Sequence, residues 1–220
     1  MSKKKKMILG IVLAIILSAG GYAIYYFFFY DGHQGPGIDN ELVNVSNRKG
    51  HTSLDDDKVL VIYFSASGNT QLLANQISNI VGGDLRRIEP VTEYPKKYQD
   101  NIAVAKEEQK NKELPPYKPF DDDFNIDHYD TIFIGYPIWW DDLPQMMYTF
   151  FEDYDLSGKT ILPFNTHEGS KDAGTYETIQ KLEPNAKVLN GMDLQGRYAQ
   201  EDQSEVIENW LFENGIEVYK

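Results

Sequence analysis

The stretch Val59–Thr70, VLVIYFSASGNT, decides how the chain folds. Six apolar residues run without a break through Phe64 and stop at a polar loop carrying Ser65, Ala66, Ser67, Gly68, Asn69 and Thr70. Such a run marks a strand covered on both faces, as in the middle of a parallel sheet. The loop joins small residues and hydroxyls to the amides that open the next helix, and those groups suit a phosphate. Taken by itself the loop also reads as a plain capping turn.

Working outward, Leu73, Ala74, Ile77, Ile80 and Val81 recur at three- and four-residue steps as far as Gly82-Gly83, so Thr70–Val81 is predicted as an amphipathic helix. Leu85–Ile88 reads as a short strand and Tyr98–Lys112 as a polar helix, followed by a loop punctuated by Pro115, Pro116 and Pro119. Thr131–Gly135 is an apolar strand, Tyr136–Asp142 a loop with two tryptophans, and Asp142 is placed as the cap of a helix with Pro144 in its first turn. A strand over Thr160–Phe164, a loop over Asn165–Ser170, a helix near Thr175–Leu182, a strand at Ala186–Leu189 and a helix at Ser204–Glu213 follow. Strands alternating with helices predict an α/β fold, a five-stranded parallel sheet with helices on both faces.

Composition limits the chemistry. The chain has 220 residues and no cysteine, which excludes disulfides, thiolate metal sites, a cysteine nucleophile and a lipid anchor on an N-terminal cysteine. Lys3–Lys6 are the only charges among residues 1–30, so the rest carries 17 basic against 34 acidic residues, a net −17. So acidic a body argues against nucleic-acid binding, which neutralises phosphates with lysine and arginine. Plain solubility accounts for most of these charges, and steering of a basic partner is the functional alternative.

After that basic cluster, Met7–Tyr30 contains no formal charge and ends in aromatics, Tyr22 and Tyr25–Tyr30. A helix of that length reaches about 36 Å, enough to cross a hydrocarbon core of about 30 Å, and aromatics collect at the interface. The expectation is an uncleaved single-pass anchor at the cell membrane with the lysines cytoplasmic and the remainder outside; a cleaved signal peptide is the alternative. Residues 31–57, with Gly32, Gly35, Pro36 and Gly37, read as a flexible linker, leaving 58–220 as the folded domain.

In such sheets ligands bind beyond the carboxyl ends of the strands, where the strand order reverses. Three loops of unusual composition fall there: Ser65–Thr70, Tyr136–Asp142 and Asn165–Ser170. The first has no P-loop lysine, and no GxGxxG follows a strand, so neither nucleoside triphosphate hydrolysis nor a dinucleotide site is expected. Trp139 and Trp140 offer a stacking surface for a planar ring, against the plainer reading of a core or surface patch. Thr166, His167, Glu168 and Gly169 supply polar contacts for a heterocycle edge, though His167 alone reads as an exposed loop histidine.

SASGNT after VLVIYF, GYPIWW after TIFIG and NTHEGS after ILPF resemble, in the same order, the three flavin loops of the flavodoxin-like family. The resemblance covers residues 58–220 and implies strand order 2-1-3-4-5 with FMN at the switch between the first and third strands, flavodoxin itself being a worked example of the switch-point rule. It implies that Ser65, Ala66, Ser67, Gly68, Asn69 and Thr70 hold the phosphate. It further implies that Tyr136, Pro137, Ile138, Trp139 and Trp140 flank the isoalloxazine, and that Asn165, Thr166, His167, Glu168 and Gly169 face its pyrimidine edge. Small flavodoxins often place a tyrosine on the outer flavin face, and Tyr94 is the candidate here.

The function expected from this resemblance is electron transfer at the outer membrane face, with a redox partner protein or membrane electron donor, and with Asp141, Asp142 and Glu168 lowering the flavin potential. One alternative is an NAD(P)H-dependent oxidoreductase acting on a quinone or similar acceptor, with His167 donating a proton. The other is a tethered interaction module without flavin.

Overall fold

The computed structural model describes residues 51–219. The expected membrane helix, and the linker as far as residue 50, lie outside the described residues. Among the described residues no helix is long and apolar enough to cross a membrane.

The sheet is parallel and central to the domain. β1 (Val59–Tyr63), β2 (Asp84–Arg87), β3 (Thr131–Pro137), β4 (Thr160–His167) and β5 (Lys187–Val188) lie in the order β2-β1-β3-β4-β5. The helices are α1 (Asn69–Val81), α2 (Tyr98–Asn111), α3 (Gln145–Asp153), α4 (Thr175–Leu182) and α5 (Ser204–Glu213). β1 is buried at all five positions, as its unbroken apolar run predicts, because side chains alternate between two covered faces. Val59, Val61 and Tyr63 face a core shared with Leu73 and Ile77 of α1 and Ile207 and Leu211 of α5. Leu60 and Ile62, with Phe64 just beyond, face the other core, with Met146, Met147 and Phe150 of α3 and Ile179 of α4.

Several boundaries differ from the sequence reading, each for a physical reason. β3 and β4 run two or three residues further than their apolar cores, because the ladder continues from Gly135↔Phe164 through Tyr136↔Asn165 to Pro137↔Thr166. Two polar side chains on this extension find lateral partners: the Tyr136 hydroxyl lies 3.0 Å from Thr175 Oγ1, and Asn165 Nδ2 donates to the Tyr176 hydroxyl at 2.8 Å, whereas Asn165 Oδ1 is buried without a partner. The fifth strand position is not one strand. β5 pairs Thr160 and Ile161, and a sixth strand, β6 (Met192–Gln195), pairs Phe164–His167 further along the same edge. The Tyr176 ring lies over Gly191 between them, so close that a Cβ there would be 2.3 Å from its Cζ.

Asp142 does not cap a helix. Its Oδ1 accepts from the Leu143 amide and the Tyr148 hydroxyl, both at 2.8 Å, and α3 starts after Pro144. Residues 51–57, assigned above to the linker, are fastened to the domain. Thr52 bridges Val218 antiparallel, the Ser53 amide donates to Glu217 O at 2.8 Å, and a 3-10 turn covers Asp56–Lys58.

Candidate functional site

The carboxyl ends of β1, β3 and β4 bring the three loops together around a cleft of ≈ 380 Å³. In the first loop Gly68 takes φ 92, a left-handed value that glycine adopts without steric cost, and its amide donates to Ser65 Oγ at 3.1 Å. Ser65 is therefore a brace inside the loop. An Arg87 Nη2–H donates to the Ser65 carbonyl at 3.2 Å, fixing the loop from β2. α1 opens with no side-chain cap and no acidic residue in its first turn, so its terminal amides and dipole are left to an anion. Ala66, Ser67 and Asn69 line the cleft.

Asn69 carries the most informative atom of the site. The residue is 8% exposed, and its Oδ1 is buried without a hydrogen-bond partner. Such an acceptor costs free energy unless a donor reaches it. Across from it Gly196 lies so close that a Cβ would stand 2.6 Å from Asn69 Nδ2 and 3.0 Å from Glu168 Oε1. The glycine keeps this part of the cleft open. Thr70 does not line the cleft; its hydroxyl lies 2.8 Å from Thr166 Oγ1 in a buried contact that ties the first loop to the third.

The second loop is a two-residue turn. The Trp139 and Asp142 amides each donate to the other's carbonyl, at 3.0 and 3.1 Å, and the residues between, Trp140 and Asp141, take φ 51 and 57. Two successive positive φ values define a type I′ turn, which strains residues other than glycine, asparagine or aspartate. The turn sends the two indoles apart. Trp139 packs edge-on to Phe64, centroids 5.3 Å apart at 89°, and to Tyr94 at 4.9 Å and 75°. Trp140 reaches outward to α2: its Nε1–H donates to Ile102 O at 3.0 Å, and Lys106 Nζ sits 4.5 Å from the indole centroid.

Tyr94 does not line the cleft. It backs Trp139 and donates its hydroxyl to Glu108 Oε2 at 2.9 Å. Burial pushes the Glu108 carboxyl above its usual range; the Tyr94 hydrogen bond opposes this and the nearby Glu113 charge adds to it. The aromatic residues that do border the cleft are Tyr98, Trp139 and Trp140, with Pro137 and Ile138 of the second loop and Asn101, Ile102 and Ala105 of α2. Sequence reasoning missed this wall, although Tyr98, Asn101, Ile102 and Ala105 fall at i, i+3, i+4 and i+7, the spacing of one helix face.

The third loop is built on β4 and β6. Thr166, His167, Glu168 and Ser170 line the cleft, whereas Asn165 and Tyr136 lie in the interior. His167 is enclosed, not an exposed loop histidine. Its Nδ1 accepts from the Gly169 amide at 2.9 Å and its Nε2 meets Asp193 Oδ1 at 3.0 Å. An acceptor at Nδ1 puts the single ring proton on Nε2, so the hydrogen-bond network assigns a neutral imidazole donating to Asp193. Both ring nitrogens are engaged, one by its own loop and one by β6. The charged residues lining the cleft are Asp141 and Glu168; Asp142 is turned into its own loop. Among the described residues no group of three or more histidine, aspartate or glutamate side chains could hold a metal.

A parallel sheet of order 2-1-3-4-5, with its cleft between the first and third strands, defines a doubly wound protein of the kind that binds a mononucleotide at the switch point. The chain belongs to the flavodoxin family, whose model matches residues 58–211. Among solved structures it is similar to a candidate flavoprotein from Bacteroides eggerthii DSM 20697, with 34% identity and TM-score 0.63 over 72% of this chain and 98% of that one. A flavoprotein from Lactobacillus acidophilus NCFM, solved in complex with FMN, shares 22% identity and TM-score 0.55 over 70% of this chain and 98% of that one. Among curated proteins none matches.

Proposed function

We propose that the domain binds FMN in this cleft and serves as an electron-transfer flavoprotein, held at the outer face of the cell membrane by residues 1–30. The observation that carries the reading is the buried, unpartnered Asn69 Oδ1 beside an uncapped helix start. An acceptor that needs a donor, next to amides that need an anion, fits a hydroxylated chain ending in a phosphate. The amides of Ser67–Thr70 and the Ser67 hydroxyl would hold the phosphate, with Thr70 acting through its brace to Thr166. Asn69 would accept from the ribityl chain. Pro137–Trp139 and Thr166–Glu168 would border the ring, with Tyr98 and Trp140 on its outer side.

FMN, when bound, supplies the redox chemistry. The residues bind it, limit its contact with water, and set its charge environment. Asp141 and Glu168 disfavour a gain of negative charge on the ring side of the cleft and so lower the potential, whereas Asp142, held by Leu143 and Tyr148, contributes less. The partner is a redox protein or membrane electron donor with a basic docking face, matched to a body of net −17. The engaged His167 weakens the alternative of a quinone reductase with a histidine acid.

The test is the visible spectrum of the purified full chain titrated with FMN, followed by steady-state assay with NADH and a quinone. Bound flavin without turnover is the expected result. A colourless protein that does not take up FMN overturns the flavin reading, and rapid NADH-dependent turnover overturns the carrier reading. Protease protection on intact cells tests the topology.

A further inference from the structure

A second concavity, of ≈ 490 Å³, shares no lining residue with the cleft. Its walls are the rings of Tyr117, Phe120, Phe124 and Tyr154, each half-buried, and its charged members are Asp121 and Asp153. The four rings pack on one another, with Phe120 lying 4.5 Å from Phe124, 5.7 Å from Tyr117 and 6.2 Å from Tyr154, so they form one continuous aromatic surface beside an open hollow. The frame is fixed on two sides. Thr149 Oγ1 of α3 donates to Pro115 O at 3.0 Å, while the Val91 amide donates to Pro116 O at 3.1 Å and the Lys118 amide to Glu89 O at 2.7 Å.

No basic side chain lines the basin. Lys118, adjacent in sequence, is drawn away to Glu89 Oε2 at 3.0 Å. The Tyr117 hydroxyl donates to Asp153 Oδ2 at 2.7 Å and orients that carboxylate. Burial raises both the Tyr117 and Tyr154 hydroxyls above their ordinary range, so both rings stay neutral. An aromatic surface with carboxylates at one hollow attracts a cation that can shed its water. A primary ammonium holds its hydration strongly and needs several acceptors, which apolar rings do not provide. An alkylated ammonium needs none.

We propose that this basin is a binding site for a small alkylated ammonium, seated against the four rings with Asp121 and Asp153 as counter-charges. The site is independent of the flavin reading and would stand if that reading failed.

The experiment titrates the purified full chain by calorimetry with choline and, separately, with its neutral isostere 3,3-dimethyl-1-butanol. Choline should bind at one site and about tenfold more tightly than the isostere, the difference being the cation–π and carboxylate contribution. Asp153→Asn and Phe124→Leu, the latter keeping apolar bulk without a ring, should each weaken choline severalfold while the circular dichroism spectrum is unchanged. Equal affinity for the two ligands, or no saturable binding of choline, overturns the proposal on the wild-type chain alone, whatever the variants do. Full affinity retained in a folded Phe124→Leu variant also overturns it.

Discussion

Replacing Thr70 and Thr166 by valine, singly and together, separates two roles for the first loop. The two hydroxyls lie 2.8 Å apart, and the residues are 1% and 4% exposed. Valine keeps the shape and removes the hydroxyl. Each single substitution leaves a buried hydroxyl with no partner at that point, which costs about 1–3 kcal/mol. The double substitution leaves neither, so its cost should fall below the sum of the singles by at least ~1 kcal/mol. With a urea dependence of about 2 kcal/mol per molar, each single should lower the denaturation midpoint by roughly 0.5–1.5 M. The assay is urea unfolding followed by circular dichroism, repeated with saturating FMN, together with an FMN titration of each variant. If the pair is a brace, Thr70→Val and Thr166→Val weaken FMN by the same factor and the double is no worse. If the Thr70 hydroxyl touches the phosphate itself, Thr70→Val alone loses affinity. Additive stability costs, or an FMN loss confined to Thr70→Val, would refute the brace.

Gly135→Ala should lower stability by about 1–3 kcal/mol in urea unfolding, because its Cβ would stand 2.2 Å from Cζ of the fully buried Phe164 ring. Glu108→Gln should raise stability at neutral pH by roughly 0.5 kcal/mol after screening, seen in thermal melts across pH. The folded Glu108 carboxyl sits above its usual range through burial, so its favourable contribution is complete below the unfolded value and is lost as pH rises through the folded one; glutamine still accepts from Tyr94 and removes that slope. His167→Gln keeps an acceptor for the Gly169 amide and a donor for Asp193, and His167→Ala keeps neither, so alanine should weaken FMN by about tenfold more than glutamine does. In the wild type, nitrogen-15 NMR should find the imidazole proton on Nε2.

Both cores follow from patterns visible in the chain, and the strand order follows from the resemblance of the three loops to those of flavodoxins. VLVIYF and TIFIG carry the two-faced burial of central parallel strands, and Leu73–Ile77 carries the helical step that covers one face. The three loops are legible by composition and by their place after strands. What single-residue patterns do not carry is the continuation of β3 and β4 into those loops, because Tyr136 and Asn165 become interior only through hydroxyl and amide partners on α4, at Thr175 and Tyr176. β6 is hidden for a related reason: MDLQ runs buried, exposed, buried, half-buried, too short and too polar to stand out. Its consequence reaches the site, since Asp193 on that strand meets His167 Nε2 at 3.0 Å.

The tryptophan pair shows where composition reasoning stops and backbone geometry begins. Two adjacent indoles after a strand cannot both be buried on one side, since successive side chains on extended backbone point to opposite faces. The chain resolves this with a turn that places Trp140 and Asp141 at φ 51 and 57, values whose cost for a tryptophan is of order 1–3 kcal/mol. That cost has to be met by contacts the turn alone makes possible. Trp139 lines the cleft and completes an aromatic trio with Phe64 and Tyr94, and Trp140 fastens α2 through Ile102 O, through Lys106, and through the Gln109 Nε2–H bond to its own carbonyl at 3.1 Å. α2 buries only Ala105 and Glu108, so it has little apolar hold of its own on the domain. The strained turn, together with the Tyr94–Glu108 hydrogen bond, therefore positions the outer wall of the cleft that Tyr98, Asn101 and Ile102 line.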